Sequence, residues 1–275
     1  MTETYPSPVD KLLTLGETRI HDQRNYLKMG FTHAHIPDLI RLLEDEELYY
    51  MEWEDENRAP PQVYAQVHAW RALAQLGAVE AISSLLGLLH CIDEDNDDFV
   101  GEEIPVMLGK LGAPAIEPCR AYLANREHDI YARIAASDAL SRIGKGHPET
   151  RDACVQALMS TLEDYRNDDE TVNAFTLSCL ADLKAVEAAS LAEEIFEAGK
   201  AELEVAGDYE DFQIEVGLLK KRLTPSKFRR ISDLEISRLM KDLGVAKKER
   251  AQKQAKKEKN KRKQAKKARK RSKKK

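Results

Sequence analysis

AWRALAQLGAVEAISSLL, residues 69–86, places small and aliphatic side chains at helical spacing, stops at Gly77, and starts a second apolar run two residues later. A glycine just past an amphipathic run suits a helix C-terminus, because it adopts the left-handed conformation at little cost. The same punctuation recurs in PVMLGKLGAPAIEPCRAYL (105–123), ASDALSRIGKG (136–146) and TLSCLADLKAVEAASLAEEIF (176–196). The turn positions Gly77, Gly112, Gly144 and Lys184 lie 35, 32 and 40 residues apart. Pro114, soon after Gly112, suits the first turn of the next helix.

The repeating unit is therefore a helical hairpin. First helices are expected at 36–45, 80–91, 114–125, 150–164 and 187–201, and second helices at 62–76, 99–111, 130–143, 170–183 and 210–222. An earlier pair near 7–17 and 20–30 is expected to cap the N-terminal end. Alternating β-branched runs and Asn-Gly or Asp-Gly turns are lacking. One such hairpin cannot bury its own apolar face, so stacked neighbours must supply the core. The expected fold is all-α: an α-solenoid of about five hairpins (34–223) behind an N-terminal helical cap (1–33). A linker with a short amphipathic helix (224–246) and a disordered polybasic tail (247–275) follow.

DIYARIAASDALSRIG (129–144) resembles the second helix of a HEAT-like repeat of the short bacterial type also found in phycobilin lyases. Asp129 and Arg133 match that family's acidic turn residue and helix-facing arginine, and Ala136, Ala139, Leu140 and Gly144 its packing positions. The resemblance spans roughly 34–200. The other repeats keep the apolar pattern without the Asp and Arg. The body is also similar to an uncharacterised bacterial family of HEAT-like proteins, some of which end in a small zinc-binding segment, the SEC-C motif. No cysteine follows Cys179 and no histidine follows His147, so that segment is missing and a basic tail stands in its place. The resemblance implies the fold and leaves activity open.

The formal net charge of −5 averages two opposed poles. Residues 247–275 hold 18 of the 43 basic and two of the 48 acidic residues, which leaves 25 basic and 46 acidic residues before them. Half of those acids, 23 of 46, fall in four turns inside the hairpins: LEDEELYYMEWEDENRAPP (43–61), IDEDNDDF (92–99), LEDYRNDDE (162–170) and ELEVAGDYEDF (202–212). NREHD (125–129) is the mixed-charge exception. In stacked hairpins such turns share one edge. Glu54, Asp55, Glu56, Asp93, Glu94, Asp95, Asp97, Asp98, Asp168, Asp169 and Glu170 are thus the expected acidic docking edge for a cationic partner. Tyr49, Tyr50 and Trp53 are its candidate aromatic anchors. Taken one loop at a time, the same acids also favour the N-terminus of the helix that follows. DEDNDDFVGEE places carboxylates at alternate positions, but Asp98 stands where a calcium loop needs Gly and Ile104 where it needs Glu.

Beyond Val245 no large apolar residue remains to be buried, so the tail is expected to be unstructured alone. Lys261, Arg262, Lys263, Lys266, Lys267, Arg269, Lys270 and Arg271 are the candidate nucleic-acid contacts, neutralising phosphates. With no aromatic to stack on bases, that binding is expected to show little sequence preference. The tail could also fold back on the acidic edge and compete with polyanions. DLEISRLMKDL (233–243) reads as a helix closing the last repeat, with partner binding as the second reading.

Membrane and secreted classes are not supported: no apolar run approaches the ~18 residues of a span, and the N-terminus lacks a basic start before an apolar core. Cys91, Cys119, Cys154 and Cys179 are widely spaced and read as reduced, buried thiols. Phosphate-loop, dinucleotide and GxSxG motifs do not occur. THAHIPD (32–38) reads as a turn into a helix rather than a metal site. Neither metal nor cofactor is expected. The sequence thus points to a non-enzymatic cytoplasmic adaptor, expected to be a monomer, that docks protein and binds RNA or another polyanion. Alternatives are a scaffold or assembly chaperone with a basic client and, more remotely, a lyase-like enzyme. In a eukaryotic host the tail would read as a nuclear or nucleolar address.

Overall fold

The computed structural model describes residues 4–22, 24–51 and 59–225. Among them every regular element is helical, and no helix is long and apolar enough to cross a membrane. The chain divides after Lys227. The expected helix at 233–243, the tail with all eight of its candidate contacts, and Trp53, Glu54, Asp55 and Glu56 lie outside the described residues.

Five hairpins can be traced. The first pairs α1 (Ile36–Leu43) with α3 (Ala65–Leu76), with the short α2 (Glu46–Tyr49) between them. The second pairs α4 (Ile82–Gly87) with α6 (Asp98–Leu111), with α5 (Cys91–Glu94) between. The third pairs α7 (Ile116–Ala124) with α8 (Ile130–Gly146), and the fourth α9 (Arg151–Leu162) with α10 (Glu170–Asp182). The fifth pairs α11 (Ala189–Glu197) with α13 (Tyr209–Val216), with α12 (Leu203–Ala206) between. Second helices pack in sequence, α3 on α6, α6 on α8, α8 on α10 and α10 on α13, while α4 packs on α7 and α7 on α9. Leu73, Leu108, Leu140 and Leu180 occupy one register position on four successive second helices, and all four are fully buried. Each hairpin thereby closes its neighbour's core.

Corner chemistry sets the hairpin boundaries. Gly77 (φ 66°) and Lys184 (φ 54°) both adopt the left-handed conformation. After each, the next amide reaches back into the helix, Ala78 N to Leu73 O and Ala185 N to Leu180 O, both 3.0 Å. These bonds satisfy carbonyls that a helix end otherwise leaves open. Each first helix is then entered through a 3-10 turn, His33–His35, Val79–Ala81, Ala113–Ala115, Pro148–Thr150 or Val186–Ala188. His33 and His35 thus belong to the turn before α1, where the Thr32 amide donates to His35 Nδ1 at 3.0 Å.

Three expectations need correction. Gly144 is not a turn residue: it sits inside α8, and a Cβ there would lie 2.8 Å from Leu183 Cδ2. Its small size admits a neighbour's leucine, and the helix runs on until His147, whose place before Pro148 disfavours helical backbone. The last second helix ends at Val216 rather than 222, because Gly217 (φ 90°) caps it in the left-handed region. The N-terminal cap helices reduce to 3-10 turns at Val9–Thr14 and Leu27–Met29. RIHDQRNYLKMG (19–30) offers no continuous apolar stripe to drive a helix onto the core.

Side chains of the second helices hold that N-terminal segment instead. His68 donates from Nε2 to Gly16 O (3.0 Å) and accepts the Tyr26 hydroxyl at Nδ1 (2.7 Å). Arg71 donates to Thr18 Oγ1 and to Arg19 O, both at 2.7 Å. Gln75 donates to Arg24 O (2.7 Å) and accepts the Tyr26 amide (2.8 Å). Beneath them the fully buried Glu103 of α6 accepts from Arg71 Nε (2.8 Å), Trp70 Nε1 (2.9 Å), the His21 amide (2.7 Å) and Arg71 Nη2. Burial raises a carboxyl pKa, but the donors from Arg71, Trp70 and His21 outweigh it and hold Glu103 below the usual carboxylate range.

Candidate functional site

The turns inside the hairpins bond to one another in order. Tyr49 and Tyr50 of the first donate to Asp97 Oδ2 (2.9 Å) and Asp95 Oδ2 (3.4 Å) of the second. Asp93 of the second accepts the amides of Tyr131 (3.3 Å) and Ala132 (2.9 Å), at the start of the third hairpin's α8. Arg126 of the third pairs with Asp164 and lies 3.8 Å from Asp168 of the fourth. The fourth meets the fifth where Glu170 O accepts the Glu202 amide (3.2 Å) and the Glu170 carboxylate accepts Lys200 Nζ (3.2 Å).

Most of the candidate acids are thus engaged in holding the fold. Asp97 caps α6 through the Phe99 and Val100 amides, and Asp169 caps α10 through those of Thr171 and Val172. Asp168 takes both prongs of the Arg133 guanidinium, at 2.8 and 2.6 Å, with both side chains almost fully buried. Burial pushes the Asp168 carboxyl up, yet hydrogen bonds from Arg133 and the Asp169 amide, with the Arg133 and Arg126 charges, bring it below its ordinary value. Arg133 also donates from Nε to Leu123 O at 2.7 Å, tying its helix to the end of the preceding one. Glu94 and Asp98, with Asp95, are exposed. The mixed-charge turn missed as part of the edge supplies Arg126, whose cation offsets acids of the next turn.

Against this edge a cleft of about 270 Å³ opens between the first two hairpins, lined by Leu43, Leu88, Tyr49, Tyr50, Glu44 and Glu46. The two tyrosine rings meet edge to face at 4.8 Å, and Tyr50 is 54% exposed. Trp53 lies outside the described residues, so the structure brings two of the three candidate aromatics together. His90 and Cys91 also line the cleft, a neighbourhood that spacing did not reveal. His90 Nδ1 donates to Gly87 O (2.6 Å), leaving Nε2 3.6 Å from Cys91 Sγ. Burial pushes the Cys91 thiol up, with Asp95, Asp97 and Glu94 nearby adding to it, so at neutral pH the pair holds a thiol, not a nucleophilic thiolate. What the cleft can do is receive a cation, between an exposed tyrosine face and flanking carboxylates.

No family model, no curated protein and no solved structure matches this chain.

Proposed function

We propose that the chain is a non-enzymatic adaptor: a HEAT-like α-solenoid whose acidic edge docks a protein and whose basic tail binds RNA by charge. The observation that carries this reading is the segregation of charge, with 18 basic and two acidic residues in 247–275 against 25 basic and 46 acidic residues before them. A chain so divided presents opposite potentials to different partners. Lys261, Arg262, Lys263, Lys266, Lys267, Arg269, Lys270 and Arg271 are the densest part of the cationic pole and the proposed phosphate contacts.

The test is fluorescence anisotropy with a labelled single-stranded RNA of mixed sequence, read across a salt series. If those eight side chains each neutralise one phosphate, log K falls with log salt at a slope of about −6. Removal of 247–275 should abolish the binding. Equal affinity with and without 247–275 would overturn the reading.

Exposed Glu94, Asp95 and Asp98, with Asp95 accepting the hydroxyl of the exposed Tyr50, favour a second reading, a scaffold or assembly chaperone for a basic client. A lysine- and arginine-rich client peptide that binds the chain lacking 247–275, while the full chain ignores RNA, would select it.

A further inference from the structure

His68, Arg71 and Gln75 share one face of α3, and there they hold an irregular stretch of backbone by its carbonyls at Gly16, Arg19 and Arg24. Aligning the second helices on their buried leucines, Leu73, Leu140 and Leu180, carries these three positions to Ala135, Asp138 and Arg142 of α8. On α10 they become Phe175, Ser178 and Asp182. All six of those residues line a single groove of about 510 Å³. Among the described residues, the face that the N-terminal segment covers on α3 is therefore open on α8 and α10. Covered and open parts adjoin: His21 Nε2 of the segment lies 3.9 Å from the carboxylate of Glu102 on α6, which also lines the groove.

We propose that this groove binds an extended segment of a partner protein, as α3 binds the chain's own N-terminal segment. The groove supplies both parts of peptide recognition. For side chains, Ile134 and Phe175 are half-buried and Tyr131 is 57% exposed, an apolar floor large enough for one aliphatic or aromatic anchor. For backbone, Arg142 stands at the position from which Gln75 donates to the Arg24 carbonyl; it engages Asp138 through Nε at 2.7 Å and carries further N–H donors on its guanidinium. Ser178 donates to Ala174 O (3.0 Å) and keeps acceptor capacity for an amide. Three carboxylates, Glu102, Asp138 and Asp182, line the groove. Arg142 pairs with Asp138 and Lys145 with Asp182, which leaves the rim with one carboxylate in excess of these cations, so a lysine or arginine next to the apolar anchor complements it at Glu102. The proposal depends on neither the tail nor the acidic edge.

Short random peptides displayed on phage, panned against the full chain, test it. Enriched peptides are then synthesised, and their affinity is read by fluorescence anisotropy on wild type, on Ser178→Arg, which fills the groove, and on Tyr131→Ala, which removes part of its floor. Circular dichroism melts confirm that both variants fold. The expected result is enrichment of an apolar residue beside lysine or arginine, with affinity reduced about tenfold or more in both variants, the loss of one interface anchor. Deletion of 247–275 should leave peptide affinity unchanged, which separates this result from the fate of the RNA reading. No enrichment overturns the proposal, as does binding that both variants retain. A groove substitution that weakens RNA binding and leaves peptide binding intact also overturns it, and assigns the groove to nucleic acid.

Discussion

Arg71 and Arg133 sit on helices of the same row, are almost fully buried, and each grips a carboxylate from the following hairpin. Their surroundings differ. Arg133 works at the edge, where Asp168 also accepts the Asp169 amide and lies near Arg126. Arg71 works on the helix face, where Glu103 is fully enclosed and the same guanidinium holds the N-terminal segment. One pair joins neighbouring turns. The other organises a stretch of chain with no regular structure of its own, so its loss should propagate further.

The largest expected effect follows from that contrast. Glu103→Gln keeps the shape but leaves Arg71 buried without a counter-charge, and breaking such a pair costs about 3–5 kcal/mol. Asp168→Asn leaves Arg133 with Leu123 O, and the acid's position is 6% exposed where that of Glu103 is 0%, so about 2–3 kcal/mol is expected, the worth of charge-assisted hydrogen bonds. Urea unfolding at neutral pH measures both. Should Asp168→Asn cost as much as Glu103→Gln, the edge is as deeply organised as the N-terminal face and the contrast fails.

Legibility from sequence divides along the same line. The hairpins could be read because helical periodicity and corner chemistry are local, and Arg133 stood out through the resemblance of 129–144 to the second helix of a HEAT-like repeat. The acids of the turns were legible as a group, but not their division into caps, ties and exposed charges. That division depends on which amide or guanidinium arrives from the next hairpin, as with Asp93 and the α8 amides. Glu103 and Arg71 gave no signal at all. Glu103 reads as one more surface acid in VGEEIP, and its partner stands 32 residues away. Gly144 misled because the same residue serves a turn and a close approach equally well.

A smaller effect, seen in pH, sharpens the comparison from the side of the N-terminal segment. Burial, with the charges of Arg24 and Arg71, pushes His68 down to about 4. The folded chain therefore keeps this ring neutral while the unfolded chain protonates it near its ordinary value of ~6.5. Between those two values the unfolded state binds more protons, so stability falls as pH drops from about 6.5 to 4, by about 3 kcal/mol in all. Glu103 and Asp168, whose carboxyls are held below their ordinary range, lose their contribution only at lower pH, where they protonate. In His68→Gln the loss between pH 6.5 and 4 should disappear and the acid limb remain. A pH dependence in that interval unchanged by His68→Gln would place the titrating group elsewhere.

The smallest expected effect concerns two corners that should be interchangeable. Gly77 and Lys184 share the left-handed conformation and the same pattern of returning amides, yet only glycine adopts it without steric cost. Lys184 also donates from Nζ to Glu215 O at 2.7 Å, in an exposed setting, where such a contact contributes little. Lys184→Gly should therefore stabilise the chain by about 0.5–1 kcal/mol, net of that contact. Lys184→Ala removes the contact and keeps the strain, so it should be neutral or slightly destabilising in the same urea series. If glycine and alanine at 184 behave alike, the ammonium governs this corner and not the backbone. The Gly77 and Lys184 turns would then be alike in geometry but different in what holds them.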